Sequence, residues 1–204
     1  MISAQQALEQ LRQGNQRFVA GDFQSGVRTA TVRRKQLAAG QEPFAVVLGC
    51  SDSRVPLEIV FDQGLGDLFV IRVAGNIVAE CVTGSAEFAV AAFGTPLVVV
   101  LGHSTCGAIT SAVDALDQPT QDMPAALSSL VDDVKPAVDE IVAAGSAENR
   151  AQLIDHAVRA NVRTSVDKLC RESTLLASRI AEGRLQVIGA EYQLETGVVE
   201  FLDA

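Results

Sequence analysis

Two short apolar segments each run into side chains that bind soft divalent metals. Residues 44–49 (Phe-Ala-Val-Val-Leu-Gly) lead into Cys50-Ser51-Asp52-Ser53-Arg54, and residues 97–102 (Leu-Val-Val-Val-Leu-Gly) lead into His103-Ser104-Thr105-Cys106. Read as buried strands, the two segments present two thiols and one imidazole at matching ends, a ligand set for one Zn2+ per subunit: Cys50, His103 and Cys106. Three protein ligands leave one tetrahedral position open, and an open position separates a catalytic zinc from a structural one. The chemistry expected is attack by metal-activated water.

A zinc ion with two thiolates and a neutral imidazole carries no net charge, so its water is less acidified than under three neutral ligands. A nearby acceptor must orient that water, and Asp52, two residues past Cys50, is placed to do so. A free carboxylate beside an open zinc competes for the metal. Arg54 prevents this by binding Asp52 through two parallel hydrogen bonds. The pair reads as a gate: closed on Arg54 it favours hydroxide as fourth ligand, and at low pH a released Asp52 takes the metal itself. A structural zinc needs a fourth Cys or His at short spacing. Cys81, expected in a loop, and Cys170, expected within a helix, are poor candidates for it, and His156 reads as a helix-surface residue with a proton-transfer role left open.

These residues need strands to carry them. Strands are expected at 44–49, 68–73, 97–102 and 185–190, with an edge strand over 196–202. Helices are expected from Ser3 to about residue 20, over 31–39, in a short turn at 57–61, over 83–93, from 106 onward, and over 124–144 and 147–182, with a loop at 117–124. Short, nearly continuous apolar strands alternating with helices indicate a parallel α/β sheet. In such sheets ligands bind at the carboxyl ends of strands, where Cys50 and His103 fall.

The 204 residues suit one domain rather than two. Aromatic residues make up only 4 % and Trp is absent, so Val, Leu, Ile and Ala must fill the core. With 25 acidic against 16 basic side chains the formal charge is −9, and the one tight basic cluster, Arg33-Arg34-Lys35, reads as the solvated side of a helix. Nucleic acid is therefore not an expected partner. No export leader and no apolar run of membrane-spanning length is visible, so no membrane partner is expected. Four cysteines are too few for a disulfide scaffold, and a cytoplasmic location is expected.

The runs Cys50-Ser-Asp-Ser-Arg-Val55, Phe61-Asp-Gln-Gly-Leu-Gly-Asp-Leu-Phe-Val-Ile-Arg-Val-Ala-Gly-Asn76 and Leu101-Gly-His-Ser-Thr-Cys-Gly107 resemble the β-class carbonic anhydrases. The likeness is strongest over residues 1–110 and continues through Val187-Ile-Gly-Ala-Glu-Tyr192 and Thr196-Gly-Val198. It implies reversible hydration of CO2 to bicarbonate and a proton, with zinc on Cys50, His103 and Cys106 and the Asp52–Arg54 dyad beside it. It implies a four-stranded parallel sheet flanked by helices, with an antiparallel edge strand near the C-terminus. It also implies a homodimer or homotetramer, with the N-terminal helix 3–20 packing on a partner subunit and the active site at the interface. Gln41 matches a glutamine that faces substrate in members whose site stays open, and Phe69 and Ala74 match apolar pocket walls. Phe88 stands where relatives often carry Tyr, and Val73 where they carry Asn. Two other functions stay open at this stage: hydrolysis of carbonyl sulfide or carbon disulfide on the same scaffold, and a non-catalytic structural zinc protein.

Overall fold

Runs of Val, Leu and Ala with no polar alternation cannot lie on a half-solvated sheet, so they must occupy its middle, with helices over both faces. In the computed structural model, which describes residues 2–24, 30–117 and 123–202, these runs are β1 (Ala45–Gly49) and β3 (Leu97–His103), buried at every residue. They join β2 (Leu68–Arg72), β4 (Gln186–Tyr192) and β5 (Val199–Phe201) in one sheet ordered β2-β1-β3-β4-β5. The first four strands are mutually parallel and β5 runs antiparallel to β4. The sheet thus counts five strands, the expected parallel four plus the edge.

Helices α1 (Ala4–Ala20), α2 (Ala30–Leu37), α3 (Leu57–Val60), α4 (Glu80–Phe93), α5 (Gly107–Asp114), α6 (Ala125–Ala144), α7 (Arg150–Glu172) and α8 (Thr174–Ala181) surround the sheet. One face packs on α1 and α3 through Val47, Leu97, Val99 and Leu101. The opposite face packs on α4, α7 and α8 through Val46, Leu48, Val98 and Val100. A third apolar cluster, from α5, α6 and α7, closes over the carboxyl ends of β1 and β3 and contains Cys50 and Cys106.

Helix α1 starts on a capping box, in which Ser3 and Gln6 exchange side-chain and backbone hydrogen bonds. Ala7, Leu11, Gly14 and Asn15 form its buried face. Asn15 donates to the carbonyls of Val60 and Gly197 and accepts from the Val199 amide, stitching the helix to the edge strand.

Two details differ from the sequence expectation. The helix expected over 147–182 breaks at Ser173, whose backbone is extended (φ −103°, ψ 108°). Its hydroxyl accepts from the Leu176 amide and donates to Glu87 of α4, so Ser173 ends α7 and caps α8. Helix α4 begins at Glu80 rather than 83, which puts exposed Cys81 in a helical turn, not a loop. The loop expected at 117–124 lies largely outside the described residues.

A glutamate is buried in the sheet. Glu191 of β4 is fully buried, in register with Gly102 of β3 and Glu200 of β5. Arg159 Nε approaches Glu191 Oε2 to 2.8 Å but is not aligned to donate, and neither oxygen has a hydrogen-bond donor among the described residues. Burial pushes this carboxyl above the ordinary value near 4.5, the Arg159 charge opposes it, and Asp155 and Glu200 add to the rise. The folded chain therefore holds the proton to higher pH than the unfolded chain does. Stability must fall as pH rises from about 4.5 toward the folded-state value. Thermal melts across that window should show a decline that Glu191→Gln flattens, and parallel pH profiles for the two proteins would contradict this assignment.

Gly14 supplies a second test. A Cβ there would meet the Phe61 carbonyl oxygen at 1.8 Å. Alanine would gain about 1 kcal/mol of helix propensity over glycine, but forcing α1 off the Phe61 backbone should cost more, at least about 2 kcal/mol net. Urea unfolding of Gly14→Ala measures this, and an unchanged midpoint would contradict it.

Candidate metal centre

The site forms where β1 and β3 stop. Cys50 follows β1 directly, and His103 is the last residue of β3. Thr105 takes a left-handed backbone (φ 53°), which costs a β-branched residue about 1–3 kcal/mol and turns the chain back so that Cys106 caps α5. Cys50, His103 and Cys106 are all buried, and their ligand atoms lie within 4.8 Å of one another.

The donor set fits zinc by three observations. Tetrahedral bonds of about 2.3 Å set two sulfurs roughly 3.8 Å apart, and the Sγ atoms of Cys50 and Cys106 are 4.0 Å apart. His103 Nδ1 lies 3.0 Å from the Ser104 carbonyl oxygen; a carbonyl only accepts, so Nδ1 carries the proton and the Nε2 lone pair is free. That Nε2 is buried with no hydrogen-bond partner, a costly arrangement for a group without a ligand.

The thiols are electrostatically coupled. Contact with the Cys106 thiol lowers the Cys50 pKa most, burial opposes it, and the Gly75 and Asp52 backbone amides lower it further. Cys106 is pushed the other way by the same contact, by burial and by the Cys50 charge, while the Ala108 and Ile109 amides of α5 pull it down. Two adjacent buried thiolates repel each other, so the pair keeps a proton unless a cation replaces it.

Arg54 clamps Asp52 in the expected bidentate geometry, Nε to Oδ1 at 3.0 Å and Nη2 to Oδ2 at 2.7 Å, and the Arg54 amide adds a third bond at 2.9 Å. The Arg54 side chain holds the Asp52 carboxyl well below the usual carboxylate range, against partial burial. Asp52 Oδ2 stands 3.9 Å from His103 Nε2, at the border of the ligand group but outside it. Arg72, which the motif contains but to which the sequence reading gave no role, donates to the carbonyls of Cys50 and Asp52 at 3.0 and 2.7 Å. It fastens the Cys50–Arg54 loop to β2.

The pocket residues divide. Ala74 opens the 3-10 turn Ala74–Asn76, whose Gly75 amide reaches Cys50 Sγ at 3.3 Å. Gln41, Phe69 and Phe88 do not join it within one chain. Gln41 precedes β1, in a groove of about 600 Å³ with Gln10, Pro43 and Phe93, at the strand end opposite Cys50. Phe69 pairs in register with Val46 and packs with Phe88 and Phe93, ring centroids 5.6–6.2 Å apart. Cys81 and Cys170 are free and lie outside the ligand group.

The buried Cys/His/Cys cluster lies at the carboxyl ends of parallel strands, bordered by a clamped carboxylate, and forms a group that could hold a metal ion on a parallel α/β fold. A family model for carbonic anhydrase matches residues 45–199. Carbonic anhydrase 2 of Mycobacterium tuberculosis is 42 % identical over 191 residues, 94 % of this chain and 89 % of that protein. The carbonic anhydrase of Mycolicibacterium smegmatis is 40 % identical over 95 % of this chain and 91 % of its own length. Among solved structures, the β-carbonic anhydrase CcaA superposes with a TM-score of 0.76 at 28 % identity, covering 98 % of this chain and 92 % of that one. The Coccomyxa β-carbonic anhydrase, solved with acetazolamide, gives 0.76 at 27 % identity over 86 % of this chain and 79 % of its own. The chain belongs to the β-carbonic anhydrase family and is an enzyme of that family.

Removing one donor should abolish tight metal binding, because two remaining ligands cannot fix a tetrahedral ion. His103→Ala and Cys106→Ala, purified and dialysed, should each carry less than about a tenth of the parental zinc by mass spectrometry. Zinc content equal to the parent in either variant would remove that residue from the ligand set.

Proposed function

We propose that the chain catalyses the reversible hydration of CO2 to bicarbonate and a proton at one zinc ion per subunit, held by Cys50, His103 and Cys106. The observation that carries this reading is the buried, unpartnered Nε2 of His103 facing two sulfurs 4.0 Å apart. Zinc, when bound, supplies a Lewis acid that makes water nucleophilic near neutral pH. Asp52 accepts a hydrogen bond from solvent at the open position and fixes its orientation. Arg54 occupies both carboxylate oxygens and so keeps Asp52 from competing for the metal.

The working unit we propose is a homodimer or homotetramer with α1 reaching onto the partner. Gln41, Phe69 and Phe88 of a second copy then complete the pocket beside Ala74. Phe88 supports this, being 56 % exposed although it packs in an aromatic cluster, which is the mark of a surface that pairs. The β-carbonic anhydrases of Sordaria macrospora, described as tetrameric, share the fold at a TM-score of 0.76 and 25 % identity. The reducing cytoplasm is the compartment we propose, supported by four free cysteines. Among the described residues no helix is long and apolar enough to cross a membrane.

Stopped-flow CO2 hydration between about pH 6 and 9, with zinc measured on the same sample, tests the activity. Asp52→Ala should lower kcat/KM more than about tenfold, equivalent to roughly 1.4 kcal/mol of transition-state stabilisation. Near-parental kinetics would remove Asp52 from the mechanism. The composite pocket has its own test. Asp52→Ala and Gln41→Ala chains, each expected below about a tenth of parental activity alone, should recover about a quarter of it when co-expressed, since half the random dimers hold one intact site. No recovery in verified heterodimers would rule out sharing.

A further inference from the structure

We infer that Asn161 and Ser165 of α7 are positioning residues for the metal ligand Cys50, acting through the turn Ala74–Asn76. Both are nearly fully buried, 2 % and 3 % exposed, among the apolar buried residues Ala157, Val158, Ala160, Val162 and Leu169 of the same helix. Polar groups in such a place weaken the fold unless they are bonded. Their spacing of four residues puts them one helical turn apart on the same side, and both donate to the one turn. Asn161 Nδ2 reaches the Gly75 carbonyl at 2.8 Å, and Ser165 Oγ reaches the Asn76 carbonyl at 3.1 Å.

That turn is held in a conformation the chain would not keep alone. Gly75 and Asn76 both have left-handed backbones, φ 71° and 44°, which asparagine adopts at a cost. The peptide planes after Gly75 and after Asn76 are fixed by α7. The preceding stretch is fixed by Val73 N donating to Gly49 O and Asn76 N to Val73 O. With both sides fixed, the Gly75 N–H has one direction left, toward Cys50 Sγ at 3.3 Å. An N–H donated to a ligating sulfur orients its lone pair and withdraws charge from it, so the sulfur gives less to the metal and the metal stays more acidic.

This inference rests on the reading of Cys50 as a zinc ligand, and cobalt substitution tests the two separately. The parent loaded with Co(II) should show thiolate-to-cobalt charge-transfer bands in the near ultraviolet. In Asn161→Ala and Ser165→Ala, loss of the aimed amide raises the sulfur donor level, so the bands should move to lower energy. Because Cys50 is also no longer pre-oriented, competition with a chelator should find metal held at least about tenfold less tightly. Ser165→Thr keeps a hydroxyl and should restore the parental bands. Lys168→Ala, which removes a contact from α7 to Asp133 away from the turn, should leave them unmoved. Circular dichroism and gel filtration establish that each variant is folded, and if Asn161→Ala is not, Ser165→Ala decides. Parental bands and parental affinity in the folded variants would overturn the inference while leaving the zinc site intact. Failure of both alanine variants to fold would overturn it too, assigning the two residues to fold stability. Absence of charge-transfer bands in the parent would sink the zinc reading itself, and this inference with it.

Discussion

Two thiols buried 4.0 Å apart cannot both ionise without a cation between them. That electrostatic constraint organises the carboxyl end of the sheet. The buried sulfurs face oriented backbone donors: the Gly75 amide on Cys50, and the Ala108 and Ile109 amides on Cys106. Donors of this kind favour thiolate, and the apolar cluster from α5, α6 and α7 makes uncompensated thiolate costly. A dication removes the conflict. The imidazole contributes a neutral donor whose tautomer is set by Ser104, so the ligand group as a whole balances a charge of +2.

The sheet contributes direction more than energy. Parallel pairing of β1 with β3 brings their carboxyl ends level, Gly49 beside Leu101, so ligands far apart in sequence meet without a long loop. The left-handed Thr105 and the Arg72 staple then adjust the last few ångströms. The Asp52–Arg54 pair is partly exposed, with Arg54 at 55 % and Asp52 at 18 % side-chain accessibility. An ion pair in that setting adds little stability. Its value is geometric, since three hydrogen bonds keep one carboxylate next to the Cys/His/Cys group without joining it.

The Cys50/His103/Cys106 cluster and the Asp52–Arg54 ion pair were legible in the sequence because each follows a strand whose apolar run is unbroken, and because Cys50, Asp52 and Arg54 are local neighbours. The parallel order was legible for the same reason. Elements fixed by distant contacts were not. Ser173 looked like an ordinary helix residue, and only its bond to Glu87 of α4 shows why α7 stops there. Asn161 and Ser165 carried a readable signal, two small polar residues four apart on an apolar helix face, but the turn that they hold lies 86 and 89 residues away. Gln41, Phe69 and Phe88 were matched by motif, which fixes identity and not location. Within one chain they belong to the end of the sheet away from Cys50.

Zinc K-edge X-ray absorption on the protein at about pH 8 reads the metal's neighbours directly. Two sulfurs near 2.3 Å and two lighter scatterers near 2.0 Å, one an imidazole and one a solvent oxygen, are the shell expected of this ligand set. A shell filled by four side chains, or zinc with no sulfur neighbours, would contradict it.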